Sequence, residues 1–204
     1  MTDVVGSVCP RCGHSLVSAR FEGLCSVCLL TAGQQYDYRI VNILAQGEHG
    51  TVYLAEQQPT RRLVALKILN PRADAANVVE RLQDKRQALA ALAHPHAARV
   101  FDVGLIAERR PYVVTEYMRG AHITTYCEQT QRDRPSRQRL LDTVSDVIGR
   151  AHGRGITHGG IKPSNVLVLR GLGDPTVKVM DFGLCDSEPA DDRAALMRLT
   201  AALL

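Results

Sequence analysis

The chain has 204 residues, 45% hydrophobic and 23% charged, which suits one ordinary domain plus a small module and excludes a disordered chain. A net charge of +4, no Trp and 4% aromatics argue against a nucleic-acid surface built on charge or base stacking. MTDVVGSVCP lacks a basic segment followed by an apolar core, and no run approaches roughly 18 consecutive apolar residues. Neither a signal peptide nor a membrane span is expected, which places the chain in the cytoplasm.

Cys9-Pro-Arg-Cys12 and Cys25-Ser-Val-Cys28 form a CxxC…CxxC pair twelve residues apart. Two tight turns of this kind aim four thiolates at one centre, which suits a closed, structural tetrahedral zinc. Gly13 permits the backbone angles of such a knuckle. The segment is too short for a core of its own, so metal would supply much of its folding free energy. His14 reads as solvated, and Cys127 and Cys185 lack partners at metal spacing. A zinc-ribbon-like module is expected over residues 1–34.

From residue 36, YDYRIVNIL and TVYLAEQ are β-rich runs around Ala45-Gln-Gly47-Glu-His-Gly50, and RLVALKIL is a third strand ending near Lys67. Glycines in the turn would let backbone N–H groups approach phosphates. A Gly-bearing hairpin alone is weak evidence, and Val64-Ala65-Leu66-Lys67 on the next strand strengthens it. A helix follows over about Asn77–Ala93, with Val78, Leu82, Leu89 and Leu92 at helical spacing and Lys85 on the same stripe. Pro95 breaks it. PYVVTEYMRG reads as a buried strand running into a connector. SRQRLLDTVSDVIGRAHGRG carries Leu140, Leu141, Val144, Val147 and Ile148, a helical stripe ended by Gly153 and Gly155. The loop ITHGGIKPSNVLV comes next, then a short strand pair and Val179-Met-Asp181-Phe-Gly183. Asp192 with Leu196, Leu199, Leu203 and Leu204 reads as a last buried helix, one face of which would be uncovered.

Val64-Ala-Leu-Lys67, His158…Lys162-Pro-Ser-Asn165 and Asp181-Phe-Gly183 occur in order, each in its expected element. From residue 36 onward the chain resembles a eukaryotic-like protein Ser/Thr kinase domain. With its four-cysteine head it is similar in style to kinases of planctomycete and verrucomicrobial bacteria. The resemblance implies an α+β, two-lobe kinase-like fold: N-lobe and hinge over 36–118, and a partial, truncated C-lobe over 119–204. It implies that Gly47 and Gly50 cover nucleotide phosphates, Val52 and Ala65 pack on adenine, and Lys67 holds the α/β-phosphates. Thr115 would be the gatekeeper, Glu116 and Met118 would offer backbone groups to adenine, and Leu167 would close the pocket from below. Lys162 would meet the γ-phosphate, and Asn165 and Asp181 would hold magnesium.

Four departures from the family pattern bear on activity. His158-Gly159-Gly160 stands where His-Arg-Asp is expected, so Gly160 replaces the residue that orients the acceptor hydroxyl and takes its proton. A positioned base contributes roughly 10²–10⁴-fold. Lys85 stands where an acidic partner for Lys67 is expected, Ala45 replaces the first glycine of the turn, and the activation segment after Gly183 is nearly absent. A packing column of Leu89, Val100, His158, Phe182 and Asp192 is retained. The leading expectation is a kinase-like protein that binds ATP–Mg²⁺, transfers phosphate poorly or not at all, and acts through a protein partner. The alternatives are a working Ser/Thr kinase, with Asp186 or Glu188 standing in for the base, and a zinc-ribbon binding module on a kinase remnant.

Overall fold

The computed structural model describes residues 38–47, 50–70, 75–92, 94–106, 110–170, 174–182 and 188–204, with the side chains of 75, 85, 86 and 88–92 set aside. The four N-terminal cysteines, the side chains of Lys85 and Leu89, and Gly183, Cys185 and Asp186 therefore lie outside the described residues. The chain divides into two compact units, residues 1–76 with 104–113, and residues 77–103 with 114–204.

The first unit is built on β1 (Tyr38–Gly47), β2 (Gly50–Gln57) and β3 (Arg62–Leu69), joined antiparallel. Period-2 alternation sorts the residues. Tyr53, Ala55, Val64, Leu66 and Ile68 are buried. Val52 pairs with Lys67 and Leu54 with Ala65, so Val52, Ala65 and Lys67 share the opposite face. β1 carries register shifts at Val41 and Leu44, which are 48% and 42% exposed. An extra residue in a strand drops out of the ladder and bends it. β4 (Val100–Ile106) and β5 (Arg110–Glu116) complete a five-stranded sheet in the order β1-β2-β3-β5-β4.

The second unit holds the larger apolar core. Its helices are α1 (Ala75–Leu92, from Asn77 on), α2 (Ile123–Gln129), α3 (Arg134–His152) and α4 (Pro189–Leu203). β6 (Gly120–His122), β7 (Val166–Leu169) and β8 (Thr176–Val179) form an antiparallel sheet. α3 starts where Asp133 accepts the Ser136 N–H at 3.0 Å, an N-cap that satisfies an otherwise unpaired donor. Its predicted stripe of Leu140, Leu141, Val144, Val147 and Ile148 is buried, together with Ala151. That stripe belongs to one core with Val166 and Val168 of β7, Val177 and Val179 of β8, and Ala195, Leu199 and Leu203 of α4.

The last helix corrects one expectation. It begins at Pro189, where the Glu188 N–H donates to the Asp191 carboxylate at 3.0 Å, and from the sequence its leucines are expected to leave one face uncovered. Leu199 and Leu203 are 2% and 3% exposed and Leu196 packs on the core, so the leucine face is largely covered within the unit. Only Met197 and Leu204 remain among the exposed large apolar residues of this helix end. Among the described residues no helix is long and apolar enough to cross a membrane.

Candidate functional site

The loop from Ile156 to Asn165 is held from below by one carboxylate. Asp192, in the first turn of α4 and 1% exposed, accepts the His158 N–H at 2.7 Å and the Gly159 N–H at 2.9 Å. His152, at the end of α3, places Nε2 2.9 Å from the same carboxylate. Burial pushes the Asp192 carboxyl upward, but the hydrogen bonds from His152, His158 and Gly159 outweigh it and hold the group below the ordinary carboxylate range. The side chain is therefore ionised and fully engaged.

His158 is 1% exposed, and its ring packs on Phe182 with centroids 4.6 Å apart. Among the described residues, neither ring nitrogen has a hydrogen-bond partner. Burial drives its pKa down against the weaker pull of Asp192 and Asp181, so the imidazole stays neutral. A sealed, neutral ring is a packing element and not a proton carrier. Of the column expected from the sequence, Val100 packs on this core and His158, Phe182 and Asp192 are buried.

Gly159 has φ +75, a left-handed conformation that glycine adopts without the strain a side chain brings. Gly160 accepts a hydrogen bond at its carbonyl from the Asn165 side-chain amide at 2.8 Å. Among the described residues, a Cβ added at Gly160 would meet only Asn165 Nδ2, at 3.8 Å, so the backbone leaves room for a side chain that the sequence does not supply. Pro163–Asn165 form a single 3₁₀ turn, closed by Asn165 N–H to the Lys162 carbonyl at 2.9 Å. Lys162 just before it is extended and exposed. Met180 N–H donates to the Asn165 carbonyl at 2.8 Å, which sets Asp181, itself at φ +63, beside Asn165. With its amide N–H committed to Gly160, Asn165 keeps its side-chain oxygen as the remaining acceptor. An amide oxygen and a carboxylate are the hard donors that a magnesium ion takes alongside phosphate oxygens, so the pair fits that role chemically.

The other predicted residues lie on separate elements. Gly47 ends β1, Gly50 opens β2, and Val52, Ala65 and Lys67 share one face of β2–β3. Lys67 is half-buried and has an interaction of its own. Leu167 is buried on β7, Thr115 and Glu116 end β5, and Met118 follows in the connector. The Glu116 N–H is committed to the Arg99 carbonyl at 3.0 Å. Its side chain accepts the Arg99 N–H at 3.1 Å and pairs with Lys178 at 2.7 Å. Sequence reasoning missed that pair and the His152 contact, since neither has a local pattern. Glu188 stands exposed at the start of α4, where its backbone N–H donates to the Asp191 carboxylate at 3.0 Å.

The family model described as "Protein kinase domain" matches residues 38–201. Over 149 residues, 72% of this chain and 21% of the relative, the sequence is 32% identical to the serine/threonine-protein kinase Pkn1 of Myxococcus xanthus. It is also 32% identical over 151 residues to the serine/threonine-protein kinase PrkC of Bacillus subtilis, covering 72% of this chain and 22% of that one. The chain thus spans about a fifth of the length of these curated relatives. A crystal structure of the Mycobacterium tuberculosis PknI kinase domain, C20A_R136A double mutant, superposes with a TM-score of 0.68 at 26% identity, covering 85% of this chain and 75% of that one. The match over most of the chain, the ordered motifs and the fold agree: the chain belongs to the protein kinase domain family, alongside the eukaryotic-like serine/threonine kinases of bacteria.

Proposed function

We propose that this chain binds ATP–Mg²⁺ as a kinase-like domain and has lost most or all phosphoryl transfer to hydroxyl acceptors, acting in the cytoplasm as a scaffold or regulator of a protein partner. The observation that carries this reading is the base position. Gly160 has no side chain, while Asp192 is spent on three donors and His158 is sealed. No group described at the loop can accept a hydroxyl proton.

In this reading Gly47 and Gly50 lie over the phosphates, and Val52, Ala65 and Leu167 line the adenine site. Glu116 and Met118 offer backbone groups, and Lys67 and Lys162 meet phosphate oxygens. Asn165 and Asp181 hold magnesium. Bound ATP–Mg²⁺ would supply the transferable phosphoryl group and the charge that neutralises it. Residues 1–34 would form a zinc module on Cys9, Cys12, Cys25 and Cys28, ahead of an N-lobe over 36–118 and C-lobe residues over 119–204.

Thermal-shift titration tests the reading. ATP with magnesium should raise the melting temperature by mass action, and Lys67→Ala and Asp181→Ala should abolish the rise. No shift for the native chain would end the nucleotide-binding half of the proposal. A working kinase is the second reading, favoured by the relatives named as kinases. Radiolabel transfer to a protein substrate that disappears in Lys67→Ala would establish it over the first.

A further inference from the structure

The connector between α1 and β4 is held by two imidazoles in opposite hydrogen-bonding roles. His96 Nδ1 lies 2.8 Å from the Val177 carbonyl of β8. A carbonyl only accepts, so this nitrogen carries the proton. His94 is reversed: the His96 backbone N–H donates to His94 Nδ1 at 3.2 Å. A backbone N–H only donates, so Nδ1 must keep its lone pair, and the neutral ring carries its proton on Nε2. Nε2 stands 3.4 Å from the Asp146 carboxylate of α3, with the His94 side chain 8% exposed. The same connector is tied to β8 by Ala98 N–H to the Val179 carbonyl and Val179 N–H to the His96 carbonyl, each at 2.8 Å.

We propose that His94 is a proton switch for this connector: the neutral ring accepts the His96 N–H and keeps the connector fastened to β8, and protonation turns that acceptor into a donor and loosens it. The groups facing His94 are Asp146 and Arg150 of α3 and His96 of the connector. Arg150 pairs with Asp146 at 2.9 Å and so weakens the pull of that carboxylate on the ring. Burial is the largest influence and holds the imidazole below its ordinary range. Asp146 acts in the opposite sense, and His96 and Arg150 add to the lowering. The stabilisation is therefore complete above the ordinary imidazole value and is lost as pH falls through the lower folded value. α1 ends just ahead of His94 and β8 leads into Asp181, so the switch sits at the join between that helix and the strand carrying the magnesium-site candidate. It needs neither nucleotide binding nor phosphoryl transfer to operate.

Nitrogen-15 NMR of the histidine-labelled full chain tests this. At about pH 8, His94 should show the Nε2–H tautomer. As His94 titrates, the His96 amide should lose about tenfold or more of its hydrogen-exchange protection, corrected for the intrinsic rate. The Ile156 amide, bound to the Ala151 carbonyl at the end of α3 and away from the connector, should not change. An Nδ1–H tautomer, or unchanged His96 protection, overturns the proposal. His94→Gln cannot gain a proton yet can accept the same N–H, and its protection should be flat across this range. A drop like that of the native chain overturns the switch. Should that variant not fold, Asp146→Asn decides: loss of the carboxylate charge should move the His94 midpoint to lower pH, and a midpoint that stays or rises overturns it.

Discussion

Gly160 is where one missing side chain weighs most. Its backbone still accepts the Asn165 amide, and a Cβ there meets nothing closer than 3.8 Å. Gly160→Asp should therefore fold normally. If the rest of the site is competent, it should raise phosphoryl transfer by about 10²–10⁴-fold in a radiolabel assay, with little change in melting temperature. A gain well below that range would place the deficit elsewhere, with Lys85 the first suspect. Asp192 is the opposite case, a residue whose loss the fold should feel. Asp192→Asn removes a charge that serves three donors and should cost about 2–4 kcal/mol in urea unfolding. Because the Asp192 pKa is lowered in the folded chain, its stabilisation is complete above about pH 4, the ordinary carboxylate value, and is lost as pH falls through the lower folded value. The variant should lack that part of the acid slope.

Among the elements, the β1–β2 hairpin separates two glycines that look equivalent in sequence. Gly50 has φ +145, and a Cβ there would run into the Ile68 carbonyl and come within 2.8 Å of Leu69 Cα on β3. Gly47 has nothing within 4 Å of the same added atom. Gly50→Ala should destabilise the chain by about 1–3 kcal/mol, through forced shifts of backbone and not of a flexible side chain. Gly47→Ala should leave stability nearly unchanged. Any weakening of ATP–Mg²⁺ binding in Gly47→Ala would then report on nucleotide contact alone. Calorimetry of the two variants with and without nucleotide distinguishes these outcomes.

For the whole molecule, the four N-terminal cysteines carry the one strong motif that the kinase family does not absorb. If they bind metal as proposed, the purified chain should contain about one zinc, and Cys9→Ser with Cys25→Ser should abolish it in elemental analysis. Thiolates must be deprotonated to bind, so zinc should also be released as pH falls.

The sequence by itself determined the three leading strands, the α3 stripe and the identity of the loop from His158 to Asn165. Each of these rests on periodicity or on a motif a few residues long, and such signals are local. What only the tertiary structure decided lies at long separation. Asp192 reaches back 34 residues to His158, and Glu116 meets Lys178 across 62. Neither charge pattern marks its partner in the sequence. The α4 leucines read as an exposed face until α3 and the β7–β8 strands were in place to bury them. Gly159 and Gly160, adjacent and identical in sequence, differ only once the backbone is folded. One takes a left-handed turn that favours glycine, and the other leaves open the space where a side chain would do chemistry.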